Sequence, residues 1–101
     1  VAVLIFASEE SGVNLSNSLF ESLREHVTEL TQDGVLAEAL EDAQYTYSLD
    51  LRLITMRQRE SIAFGLATLE ARATERDGLH PSFFTHIEKV RNYVLDEGVQ
   101  P

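Results

Sequence analysis

The chain has 101 residues, with 17 Asp and Glu against 8 Lys and Arg, for a formal charge of −9. That charge is confined to one half: residues 1–50 hold ten acids and a single base, Arg24, whereas residues 51–101 hold seven of each. A nonspecific nucleic-acid binder needs cations to displace counterions from phosphates, and a protein of anionic membrane surfaces needs basic residues beside an apolar face. The composition excludes both.

One compact domain, residues 1–101, is the expectation from this length. The 44% hydrophobic content suits a single core and is too high for a disordered acidic tail. With no cysteine, disulfides, thiolate metal sites and cysteine nucleophiles are ruled out. The longest apolar run, Val1–Ala7, is far short of a bilayer span and has no basic flank of the kind that marks a secretory signal. A reducing, cytoplasmic setting is therefore expected.

Val1–Ala7 reads as a buried strand, bounded by the polar turn Ser8-Glu9-Glu10-Ser11-Gly12. From Asn14 to Asp33 the period becomes helical, with Leu19, Phe20, Leu23, Val27 and Leu30 on one face. Ser18-x-x-Glu21 has the form of a capping box, Asn14 and Ser16 are alternative caps, and Gly34 stands where the helix should stop. A short second helix carries Leu36, Ala39, Leu40 and Ala43.

Tyr45–Met56 alternates with period two, Tyr47, Leu49, Leu51 and Leu53 against Thr46, Ser48, Asp50 and Arg52, and predicts a second strand with Tyr47 in the core. Beyond Arg57, Ser61, Gly65, Thr68, Arg72, Glu75 and Arg76 form a polar stripe opposite Ile62, Ala63, Leu66, Leu69 and Ala73, which favours a helix over a hairpin across residues 61–70. Asp77-Gly78 closes that segment. Pro81 suits a first helical position, followed by a stripe of Phe83, Ile87, Val90 and Val94 and a stop at Gly98. The order is β-α-α-β-α-α. The fold class is α+β, or a small α/β unit, with helices dominant over a two- or three-stranded sheet, and direct pairing of the two strands across the intervening helices would be parallel.

A Ser- and Gly-bearing turn between a strand and a helix N-terminus is a place where phosphates bind. In this respect Ser8–Asn14 resembles the phosphate loop of flavodoxin-like proteins, although Glu9 and Glu10 would repel a phosphate. The acidic pair also resembles that of receiver domains in response regulators. There the resemblance implies a phospho-accepting Asp at the end of a later strand, and Leu53 or Ile54 stands in that place, so phosphoryl transfer is not expected. His26, His80 and His86 lack metal-ligand spacing, and no nucleophile elbow, phosphate loop or dinucleotide fingerprint occurs. Catalysis, metal and cofactor are not expected.

Arg52, Arg57 and Arg59 could grip an anion together or pair with the acidic half of the chain. Glu21, Glu25 and Glu29 recur every four residues on the first helix. Glu38, Glu41 and Asp42 form a second acidic group, and Tyr45 is an uncommitted aromatic beside it. Like charges at that spacing cost an isolated helix a few tenths of a kcal/mol per pair. They serve either as a solvated face or as a complement to a basic surface. The leading expectation is a small acidic inhibitor or immunity-type module whose partner is a basic, nucleic-acid-handling protein. The alternative is a homodimeric regulatory or scaffold module with a degenerate receiver-like core, self-associating through strand Tyr45–Met56 or an apolar helix face.

Overall fold

The computed structural model describes residues 2–75 and 80–96. The elements are β1 (Ala2–Ser8), β2 (Ser11–Ser16), α1 (Asn17–Thr31), α2 (Gly34–Thr46), β3 (Ser48–Asp50), a 3-10 turn (Leu51–Leu53), α3 (Met56–Ala73) and α4 (Pro81–Asp96). Helices dominate a three-stranded mixed sheet of order β2-β1-β3, an α+β architecture. The expected parallel pairing of the first strand with the strand after two helices is present, with Ile5 opposite Leu49. The expectations at Asp77-Gly78, Arg76 and Gly98 lie outside the described residues.

An additional strand precedes the first helix. Glu9 and Glu10 form the turn of an antiparallel β1–β2 hairpin, with Ser8 opposite Ser11 and Ile5 opposite Val13. This hairpin replaces the strand-to-helix turn on which both resemblances rest. The β1 stretch between those pairs, Phe6 and Ala7, is one residue longer than Gly12 opposite it, so β1 bulges there. A side chain at Gly12 would stand 2.9 Å from Leu4 Cδ1 and 3.3 Å from the Ile5 carbonyl, which explains the glycine. Val3, Ile5, Ala7, Val13, Leu15 and Leu49 point into the core beneath the helices, while Leu4, Asn14 and Ser48 belong to the opposite parity, on the open side of the sheet.

The Tyr45–Met56 strand shrinks to Ser48–Asp50. Local hydrogen bonds explain the loss of extension on both sides. Helix α2 runs to Thr46 and ends on Tyr47 in the left-handed conformation, φ 61°, whose N–H donates to the Ala43 carbonyl. After β3, Asp50 Oδ1 accepts from the Arg52 N–H at 3.0 Å and turns the chain into the 3-10 segment. Of the alternating apolar residues only Leu49 and Leu51 are buried; Tyr47 is exposed and Leu53 is 81% exposed.

Helix starts follow side-chain caps. Ser16, rather than Ser18, caps α1 through a bond from the Leu19 N–H. Asp33 caps α2 through the N–H groups of Val35 and Leu36, so Gly34 opens α2, and α1 ends instead on Gln32 at φ 52°. Thr55 and Gln58 form a reciprocal capping box on α3. Residues 61–70 are helical, as the polar stripe indicates, but Gly65 leaves that stripe and is buried. A Cβ there would sit 2.8 Å from both Leu23 Cδ1 and Val27 Cγ2, so the glycine lets α3 close onto α1. Phe20, Leu23 and Val27 of α1, Ile62 and Leu66 of α3, and Ile87, Val90 and Val94 of α4 complete the core.

Candidate protein-binding surface

Helix α1 buries Phe20, Leu23 and Val27. At roughly 100° per residue, Glu21, Glu25 and Glu29 centre on the side opposite that core face, and all three are exposed. On α2, with Leu36, Leu40 and Ala43 inward, Glu38, Glu41, Asp42 and Tyr45 are exposed as well. Every residue assigned to a partner surface from the sequence is therefore accessible, and Tyr45 is 79% exposed.

The two helices meet at a seam. Arg24, the lone base of the acidic half, donates from Nε to Gln44 Oε1 at 2.9 Å and joins α1 to α2. Arg24 and Gln44 line an open hollow of about 360 Å³ with Glu41, Tyr45 and Tyr47. The structure thus brings Glu41 and Tyr45 together; Glu38, Asp42 and the α1 glutamates lie outside this hollow. Two tyrosine rings beside a carboxylate can take a cationic side chain by a cation–π contact and an ion pair together. Tyr47 is the residue that parity assigned to the core, and nothing in its sequence neighbourhood signals a helix end of left-handed backbone, where glycine is usual.

No cation among the described residues is ion-paired with the acidic face. Among the described residues, ion pairs join Arg52 to Asp50 and Arg91 to Glu70, each at 2.9 Å, and none reaches the carboxylates of α1 or α2. Nor do the three arginines converge. Arg52 forks onto both oxygens of Asp50 and lies 5.6 Å from the centre of the Phe6 ring. That guanidinium, bonded to the carboxylate, holds Asp50 below the usual carboxylate range. Arg59 is 5% exposed and donates to the Leu51 carbonyl at 2.8 Å, and Arg57 stays on the surface.

The histidines are equally dispersed. His86 Nε2 donates to the Asn14 carbonyl at 2.6 Å. His80 Nδ1 accepts from the Ser82 N–H at the start of α4, and His26 lines a separate hollow between α1 and α3. No group of three or more His, Asp or Glu is arranged to hold a metal ion among the described residues, nor is any helix there long and apolar enough to cross a membrane. Comparison with protein-family models, with curated proteins and with solved structures finds no match to this chain.

Proposed function

We propose that the protein is an acidic binding module, acting without catalysis of its own, that covers the cationic surface of a basic, nucleic-acid-handling partner. Glu21, Glu25, Glu29, Glu38, Glu41, Asp42 and Tyr45 form its contact surface. The observation that carries this reading is the outward stripe of Glu21, Glu25 and Glu29, exposed and without an ion pair among the described residues. A stripe of like charges gives nothing to the helix that bears it, whereas opposite a basic surface it speeds encounter and fixes register. In the same reading Tyr45 and Tyr47 supply aromatic anchors at the rim of the charged area.

The test is affinity capture from the cells that make the protein, comparing the unaltered chain with Glu21→Lys/Glu25→Lys/Glu29→Lys. The unaltered chain should retain a basic protein whose association slows steeply with added salt. Adding the chain should also suppress that protein's binding to or processing of nucleic acid. The triple variant should lose the partner while keeping the same far-UV spectrum and melting midpoint. Equal capture by both chains, at equal association rates, would reject the assignment.

A further inference from the structure

Helix α3 carries a second surface that the fold does not use. Arg57 and Glu60 stand one turn apart on its outward side, both exposed, and among the described residues neither is ion-paired with the other or with any third group. Phe64, a further turn along, is 61% exposed, and Leu30 of α1 is 54% exposed. The four share an open hollow of about 340 Å³. Just before the helix, Leu53 is 81% exposed. Leu30 belongs by sequence to the apolar face of α1, yet the core does not cover it. Exposed aromatic and aliphatic side chains around an unpaired guanidinium have the composition of an interface centre rather than of a solvated helix face.

We infer that this face binds a second copy of the chain, about a two-fold axis crossing α3 between Arg57 and Glu60. A two-fold interface has to be complementary to itself, and this patch is. At roughly 100° per residue, positions 57, 60 and 64 fall within one narrow sector of the helix. Two α3 helices laid antiparallel about that axis put Arg57 opposite Glu60 of the partner subunit, and Glu60 opposite Arg57 of the partner subunit. Phe64 lies on the same outward side beyond the axis, so each Phe64 is carried toward the N-terminal end of α3 of the partner subunit, twice over.

Charge selects a copy of this chain as the occupant. The groove offers one cation and one anion a helical turn apart, and a ligand that satisfies both must offer the reverse order in the reverse direction, as α3 itself does. Helix α3 belongs to the balanced half of the sequence, so the acidic excess is not concentrated on the helix that makes this contact. On α1 the glutamate stripe is centred well away from Leu30 around the helix, so the α1 acidic face stays free in the dimer. The inference does not rest on the proposed function.

The experiment is size-exclusion chromatography with light scattering, and sedimentation, at micromolar concentration. The unaltered chain should have the mass of a dimer. Arg57→Glu and Glu60→Arg should each raise the dissociation constant roughly tenfold or more, because each substitution sets like charges opposite one another at two places across the axis. The double variant Arg57→Glu/Glu60→Arg should recover the dimer, since the pairs are re-formed in reverse. Phe64→Ser should weaken the dimer without altering the far-UV spectrum. A monomer at micromolar concentration, a dimer indifferent to both single reversals, or a double variant that fails to recover would each overturn the inference. So would a dimer lost only on Leu4→Asp, which would place the contact on the open face of the sheet.

Discussion

Tyr93 closes a gap opened by the β1 bulge. The extra residue between Ile5 and Ser8 takes the Ala7 N–H out of the strand ladder, and that N–H donates to the Tyr93 hydroxyl at 2.9 Å. The hydroxyl's own proton is then available to Ser11 Oγ, 2.8 Å away, and Ser11 in turn meets Ser8 Oγ at 3.0 Å. One phenol on α4 therefore completes the hydrogen bonding of a hairpin some eighty positions earlier in the sequence. Tyr93→Phe keeps the ring and removes the acceptor, leaving a mostly enclosed amide without a partner, a loss of about 1–2 kcal/mol. Urea denaturation at pH 7 should show that loss, and an unchanged midpoint would mean that water replaces the hydroxyl.

Asp50 gives a second test at this scale, through pH. Its pKa is lowered in the fold, first by the side-chain bond from Arg52, so its contribution to stability is fully present above the unfolded value of about 4 and is lost as the pH falls through the folded value. Asp50→Asn keeps an oxygen to cap the 3-10 turn and loses the charge. Its melting midpoint should lie below that of the unaltered chain at pH 7, and the two should converge as the pH drops below about 4. A constant gap across that range would show that the charge on Asp50 is not involved.

Among the elements, the α1–α3 contact depends on one missing side chain. Alanine in place of Gly65 would gain about 1 kcal/mol of helix propensity. Its methyl, however, would arrive 2.8 Å from Leu23 Cδ1 and Val27 Cγ2, both fully buried and hemmed in by the core. Overpacking of this kind costs about 1–3 kcal/mol, so the packing term outweighs propensity. Gly65→Ala should be destabilising by about 1 kcal/mol net in equilibrium unfolding, and a stabilised variant would show that the helices part at no cost.

The other end of α3 is held by Arg59, whose guanidinium reaches the Leu51 carbonyl and, at 3.5 Å, the Val94 carbonyl. It joins the 3-10 turn to α4 in the core, where the sequence pattern suggested either an anion grip or a pairing with the acidic half of the chain. Helix α4 in turn guards the sheet. Leu4 donates to the Tyr47 carbonyl on the β3 side, so Asn14, its partner in β2, turns its backbone groups toward the outer edge, where His86 bonds to its carbonyl. An edge strand engaged by a helix is a poor template for pairing with other chains. That protection covers the β2 edge; β3, the other edge of the sheet, is three residues long.

For the whole molecule, the decisive asymmetry is electrostatic. The acidic excess lies in the half that contributes the hairpin, α1, α2 and β3, and its one base is turned inward to Gln44 at the α1–α2 seam. The proposed binding face therefore presents nearly uncompensated negative charge, and reversal of Glu21, Glu25 and Glu29 should act on association with a basic partner rather than on folding. Because those carboxylates are exposed and repel one another, the triple variant should unfold at a denaturant concentration no lower than the unaltered chain. A clear loss of stability would assign the stripe a structural role.

Length, charge distribution and periodicity determined by themselves that this chain builds helices over a small sheet and that the acidic side chains of α1 and α2 face water, and they favoured a helix over a hairpin across residues 61–70. These properties follow from side-chain spacing along a single element. The β2 strand is written in the alternation of Val13 and Leu15 with Gly12, Asn14 and Ser16, but the helical pattern beginning nearby masked it. Only the tertiary structure decided which part of the period-two stretch is strand, because Ser48–Asp50 is extended where it pairs with β1. It also decided that Gly65 belongs to the core and Leu30 to the surface, since a helix face is defined by what packs against it and not by its own sequence.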